Sequence, residues 1–177
     1  WALVLRVLTG ETDVILGSAV AGRPPELPGV GQTLGMFLNT VPVRVRLEPS
    51  ASLRELLIGT QDRNSELLDH HYVGLPAIHR AVGGMSDMFD TALAFQSFPL
   101  RESTLQDLVS SAGLRVDEIT GVDATPPYPL SLVVAPKTDA VDGEPGLSIT
   151  LRFRRNDFDP ARAREIIDLF VECLARI

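Results

Sequence analysis

From Val41 to Leu47 every second residue is aliphatic, and the residues between are Pro42, Arg44 and Arg46. Successive side chains leave a strand on opposite sides, so this alternation predicts a strand with one face on a core and one toward solvent. The pattern returns at Leu147, Ile149, Leu151 and Phe153, set against Ser148, Thr150, Arg152 and Arg154. Val14–Val20 is instead an almost unbroken apolar run of strand length, which reads as a central strand covered on both faces. Gly17 inside it marks close packing or a bulge. Leu130–Ala135 and the short Thr91–Phe95 complete the strand set, with a further strand expected at Leu114–Ile119. Pro136–Gly146 reads as a loop whose flanking strands can pair as a long hairpin.

Helical segments are marked by their ends. Trp1–Leu8 suits the last turns of a buried helix closed by Thr9-Gly10, and Ser52 followed by Glu55 is a capping box. Leu53, Leu56, Leu57, Thr60, Leu67 and Leu68 then mark one face of that second helix. A short helix from about Leu75 to Val82 ends at Gly83-Gly84. Asp159-Pro160 starts the last one, with Ile166, Ile167, Phe170, Val171 and Leu174 as its buried face. Arg101–Ser111 is polar and reads as irregular or loosely helical. Helices alternate with strands irregularly, which predicts an α/β (α+β sandwich) domain: a mixed sheet with helices packed on it.

At 177 residues and 45% apolar composition the chain is long enough for one domain with a core. Its formal charge of −7, with 16 basic residues that form no cluster, argues against nucleic acid and anionic membrane surfaces as partners. The single cysteine, Cys173, excludes an intramolecular disulfide and fits a reducing, cytoplasmic compartment. It reads as a buried, inert thiol. No apolar run approaches the ~18 residues of a membrane span and no signal peptide is evident. The chain opens on Trp1 in mid-pattern and reads as a piece of something longer.

No catalytic constellation emerges from the residues. His70-His71 is the obvious candidate base, but no orienting carboxylate is fixed beside it, and histidines at helix ends commonly serve the last carbonyls. His79 reads as a surface residue. Ser18, Ser97 and Ser131 lack the Gly-x-Ser-x-Gly context of a nucleophile elbow. The glycines of Gly29–Gly35 do not sit between a strand and a helix at dinucleotide-fingerprint spacing, and read as a flexible loop. Three histidines and one cysteine at no ligand spacing make no metal site, and Asp87, Asp90, Asp117 and Asp123 read as surface or capping groups.

The order of several blocks resembles the condensation domains of nonribosomal peptide synthetases. Gly35-Met36-Phe37-Leu38-Asn39-Thr40-Val41-Pro42-Val43-Arg44 follows that family's Gly-x-Phe-(aliphatic)-Asn-Thr-(aliphatic)-Pro-(aliphatic)-Arg block and favours true condensation over epimerisation or heterocyclisation. The opening run through Gly22-Arg23-Pro24 resembles the helix, central strand and Gly-Arg loop of the family's second subdomain. Leu68–Tyr72 lies at its His-Gln-Asp-type block, making His70 a structural histidine, and Phe89-Asp90-Thr91…Phe95-Gln96…Pro99 resembles the next one. The arginines and asparagine usual before that block are missing. Asp123-Ala124-Thr125…Tyr128-Pro129-Leu130 and the last helix follow in order.

The resemblance implies a chloramphenicol-acetyltransferase-like half, the carboxyl-terminal subdomain of a V-shaped pseudo-dimer, inactive alone. A tunnel between the halves would admit phosphopantetheine arms delivered by carrier proteins, with no cofactor bound to the chain itself. The family's His-His-x-x-x-Asp-Gly motif is not the pair here, because Leu75-Pro76 stand at the Asp-Gly positions. No residue of this chain is therefore assigned as catalytic. Gly22, Arg23, Phe37, Asn39, Thr40 and Gln96 are the expected tunnel or subdomain-interface residues, with ordering of the loop before the strand as the alternative role of Asn39. The implied partners are the amino-terminal subdomain in cis, peptidyl carrier proteins and an adjacent adenylation domain, with self-association expected when the partner half is removed. A non-catalytic carrier-protein docking module and a free-standing acyltransferase of the same fold are the alternatives.

Overall fold

The computed structural model describes residues 1–23, 27–84, 88–96, 111, 126–137 and 146–177. The strand expected at Leu114–Ile119 and the polar stretch Arg101–Ser111, apart from Ser111, lie outside them. Within the described residues one five-stranded sheet runs in the order β2-β1-β3-β4-β5. These strands are β1 (Asp13–Ala21), β2 (Leu38–Arg46), β3 (Thr91–Phe95), β4 (Leu130–Lys137) and β5 (Gly146–Phe153). The β1–β3 and β3–β4 pairs are parallel, while β1–β2 and β4–β5 are antiparallel, so the sheet is mixed. The long hairpin forms, with register from Leu130↔Phe153 to Lys137↔Gly146.

The α-helices α1 (Ala2–Thr9), α2 (Leu53–Leu67), α3 (Leu75–Ala81) and α4 (Pro160–Arg176) accompany the sheet, with short 3-10 turns at Val30–Gln32 and Leu68–His70. The chain turns out of α1 at Gly10, whose φ of 78° is the left-handed region that a side chain disfavours. The capping box at the start of α2 is complete, and its hydrogen bonds from Ser52 hold the Glu55 carboxyl below the ordinary carboxylate range. At the start of β1, Asp13 takes two hydrogen bonds from Arg44 of the paired strand, at 2.7 and 2.5 Å, and its carboxyl is likewise held low.

The strand alternation places the core. Val14, Leu16, Val43, Val45 and Leu47 bury one face of the β1–β2 half under Leu5 of α1. Leu130, Leu132 and Val134 of β4 do the same under Val4, Ile166 and Phe170. In α4 the buried set is Ala163, Ile166 and Phe170; Val171 and Leu174 remain 49% and 39% exposed. This corrects the broader face expected from the sequence, because Val171 lies one step of about 100° beyond Phe170 and turns away from the sheet. A second correction concerns α2, which buries none of its residues although its leucines face the sheet: Leu57 is 52% exposed.

Candidate functional site

The family-like block of the sequence lies at one end of the sheet, where β1 finishes and β2 begins. The ladder between them runs to Ala21↔Leu38 and is prolonged by the Gly22 amide, which donates to the Phe37 carbonyl at 2.6 Å. Gly22 is also the point of closest backbone approach. A Cβ there would lie 3.1 Å from the His71 carbonyl oxygen and 3.5 Å from Tyr72 Cα. That contact is tight for a Cβ and favours glycine for packing, with no demand on φ.

Asn39 supplies the bond across this junction. Its Nδ2 donates to the carbonyls of His71 and Val73, both at 2.8 Å, and its Oδ1 accepts from the Thr40 amide at 2.9 Å. Both amide hydrogens are therefore spent within the chain. The side chain ties the turn after α2 to the start of β2 and has no donor left for a reacting carbonyl. Thr40 sits next along β2, opposite Ala19, with its methyl group packed over Gly17.

Arg23 shapes the loop between the two strands. Its guanidinium donates to the carbonyl of Val30 and to that of Thr33, the latter at 3.1 Å, and lies 4.0 Å above the centre of the Phe37 ring. Leu34 and Met36 are held out by this loop, at 99% and 90% exposure. The parallel register Gly17↔Ala92 and Ser18↔Leu93, continued along the strands, brings Gln96 to the same end of the sheet. The Gln96 amide donates to the Val134 carbonyl at 2.7 Å, and its side chain is exposed. Leu38, Tyr72 and Phe95 are exposed apolar neighbours there. All six residues expected from the sequence thus occupy one end of the sheet. The carbonyls of His71 and Val73 and the exposed Tyr72 were missed, since nothing in a sequence pairs an asparagine with backbone atoms over thirty residues away.

The chemistry available at this end is positional. His70 is exposed, His71 offers its backbone carbonyl to Asn39, and neither imidazole has an ion pair among the described residues. No group of three or more His, Cys, Asp or Glu side chains that could hold a metal occurs among them either. His79, expected at the surface, is half-buried and lines a separate open cleft of about 910 Å³ with Pro76, Phe89, Tyr128 and Arg154. Cys173 is half-buried against the core. No helix among the described residues is long and apolar enough to cross a membrane.

The family model for the condensation domain matches residues 1–177. The chain is similar to one of the linear gramicidin synthase proteins of Brevibacillus parabrevis, with 30% identity over 180 residues, covering 98% of this chain and 2% of that protein. It is similar to vanchrobactin synthetase VabF of Vibrio anguillarum, with 37% identity over 136 residues, 77% of this chain and 5% of that protein. Among solved structures, the starter condensation domain of the rhizomide synthetase superposes with a TM-score of 0.69 at 22% identity, over 97% of this chain and 38% of that one. The first condensation domain of the calcium-dependent antibiotic synthetase, in complex with a substrate analogue, gives 0.66 at 21% identity, over 98% and 36%. The chain thus spans a small part of each synthetase and little more than a third of each condensation-domain structure. The mixed sheet, the block at its end and these likenesses agree: this chain belongs to the condensation domain family of nonribosomal peptide synthetases.

Proposed function

We propose that the chain is the carboxyl-terminal half of a condensation domain and supplies one wall of the site where two carrier-bound substrates meet. In that reaction the amine of the acceptor aminoacyl thioester attacks the donor thioester carbonyl. A C–N bond forms, the C–S bond breaks, the donor's pantetheine thiol leaves, and the proton lost from the amine balances the thiolate. The phosphopantetheine arms belong to the substrates and arrive on carrier proteins.

The observation that carries this reading is the braced sheet end without a base. Gly22, Phe37 and Asn39 lock β1, β2 and the turn at His71–Val73 into one rigid edge, while the imidazoles nearest to it lack an orienting acid among the described residues. Such an edge holds reactants in place, and positioning accounts for a large share of the rate in a bimolecular acyl transfer. The proton-handling group then stands on the other half, in the His-His-x-x-x-Asp-Gly motif of the family. The adenylation domain that loads the acceptor is expected downstream.

Amide formation between two loaded carrier proteins, followed by mass spectrometry, tests this. The 177-residue chain alone is expected to give none, and the parent domain to turn over. Product from the chain alone overturns the assignment. A parent domain whose His-His-x-x-x-Asp-Gly motif is degenerate, and which binds loaded carriers without product, identifies a docking module instead.

A further inference from the structure

The cleft beside α3 lies at the far end of β3 from Gln96, between α3 and the starts of β3 and β4, and encloses about 910 Å³. Pockets of that order hold drug-sized ligands. Its apolar floor is an aromatic pair, Phe89 and Tyr128, with ring centres 5.1 Å apart and planes tilted by 46°. Phe89 is fixed from behind, because its ring lies over Gly17 of β1, where a side chain would collide with it. Leu75 and Pro76 of α3 add to the apolar lining.

The charged groups around this floor are of both signs and do not meet. Arg80 donates through Nε to the Pro76 carbonyl at 3.2 Å, which leaves its two terminal nitrogens as a fork for a carboxylate. Asp90 is the one carboxylate among the described lining residues, and it forms no ion pair with Arg80, Arg154 or any other described residue. Arg154 spends Nε and Nη2 on the carbonyls of Pro126, at 3.1 Å, and Pro127. Its Nη1 and the half-buried imidazole of His79 have no partner among the described residues. Asp13 and Arg44 show that an Asp and an Arg within reach on this chain do pair, at 2.5 Å. In the cleft the opposite charges stay unpaired, so a ligand that carries both counter-charges meets each of them.

We propose that this cleft binds a short peptide with both termini free and apolar side chains. Its carboxylate pairs with the Arg80 fork and its ammonium with Asp90. Arg154 Nη1 and the His79 imidazole are the donors left for its peptide carbonyl, and an aromatic side chain packs on Phe89 and Tyr128. A carrier-bound donor or acceptor has its carboxyl tied up as a thioester and brings no carboxylate to Arg80, so it lacks one of the two pairings. None of the residues at the braced sheet end takes part, so the cleft binds its ligand whether or not that end positions reactants.

Calorimetric titration of the parent domain with the dipeptide Leu-Phe tests this, with N-acetyl-Leu-Phe and Leu-Phe amide as the singly charged controls. Free Leu-Phe is expected to bind saturably, and each blocked form about tenfold more weakly. Asp90→Asn is expected to weaken the free dipeptide about tenfold and to leave the N-acetyl form unchanged. Arg80→Gln is expected to weaken the free dipeptide equally and to leave the amide form unchanged. Both side chains are exposed, and unchanged thermal unfolding of each variant shows the fold intact. The blocked peptides carry the test on the unaltered domain, whatever the substitutions do to folding. Absence of saturable binding overturns the proposal. Binding that neither substitution weakens overturns it too, by placing the peptide elsewhere on the domain. An N-acetyl form that binds as tightly as free Leu-Phe overturns it in favour of a simple anion site.

Discussion

At the scale of single residues, the junction depends on donors and acceptors that match one for one. Asn39 gives both amide hydrogens to part-buried carbonyls and accepts from the backbone amide beside it. Asn39→Ala leaves the His71 and Val73 carbonyls without those donors, a loss expected to cost about 2 kcal/mol in urea unfolding. Asn39→Asp is expected to cost more, because one donating nitrogen becomes an oxygen facing two carbonyl oxygens. A substitution that leaves stability unchanged refutes the tie. The Asn-Thr pair was legible in the sequence as a polar opening to the strand, but its partners were not. They come from a turn more than thirty positions later, and only the fold fixes that distance.

At the scale of elements, the last helix separates periodicity from burial. Ile166 is 1% exposed, whereas Val171 is 49% exposed. Ile166→Ala is expected to destabilise by about 3 kcal/mol, and Val171→Ala by less than about 0.5 kcal/mol. Thermal or urea unfolding of the two variants checks this, and equal losses would mean that the helix is rotated from its observed seat. Strands were the more legible elements: the alternation in β2 and β5 is a period-2 signal that a half-covered sheet satisfies. The face of α2 was legible as apolar yet is open, because burial of a stripe depends on what else packs against it.

At the scale of the whole molecule, Leu34, Met36, Leu38, Tyr72 and Phe95 gather exposed apolar surface at one end of the sheet. The chain is expected to self-associate through this end, and Leu34→Ser combined with Met36→Ser to shift it toward monomer in sedimentation with no loss of stability. A wild-type chain that is strictly monomeric at high concentration overturns this. The places of the five described strands along the chain, the caps of α2 and α4 and the family-specific block were determined by the sequence alone, since each is set by side chains a few residues apart. The mixed order β2-β1-β3-β4-β5, the convergence of Gly22, Arg23, Asn39 and Gln96 on one end, and the open face of α2 were decided only in three dimensions. Pairing across distant segments is chosen by the total surface that can be buried together, and no local pattern encodes that sum.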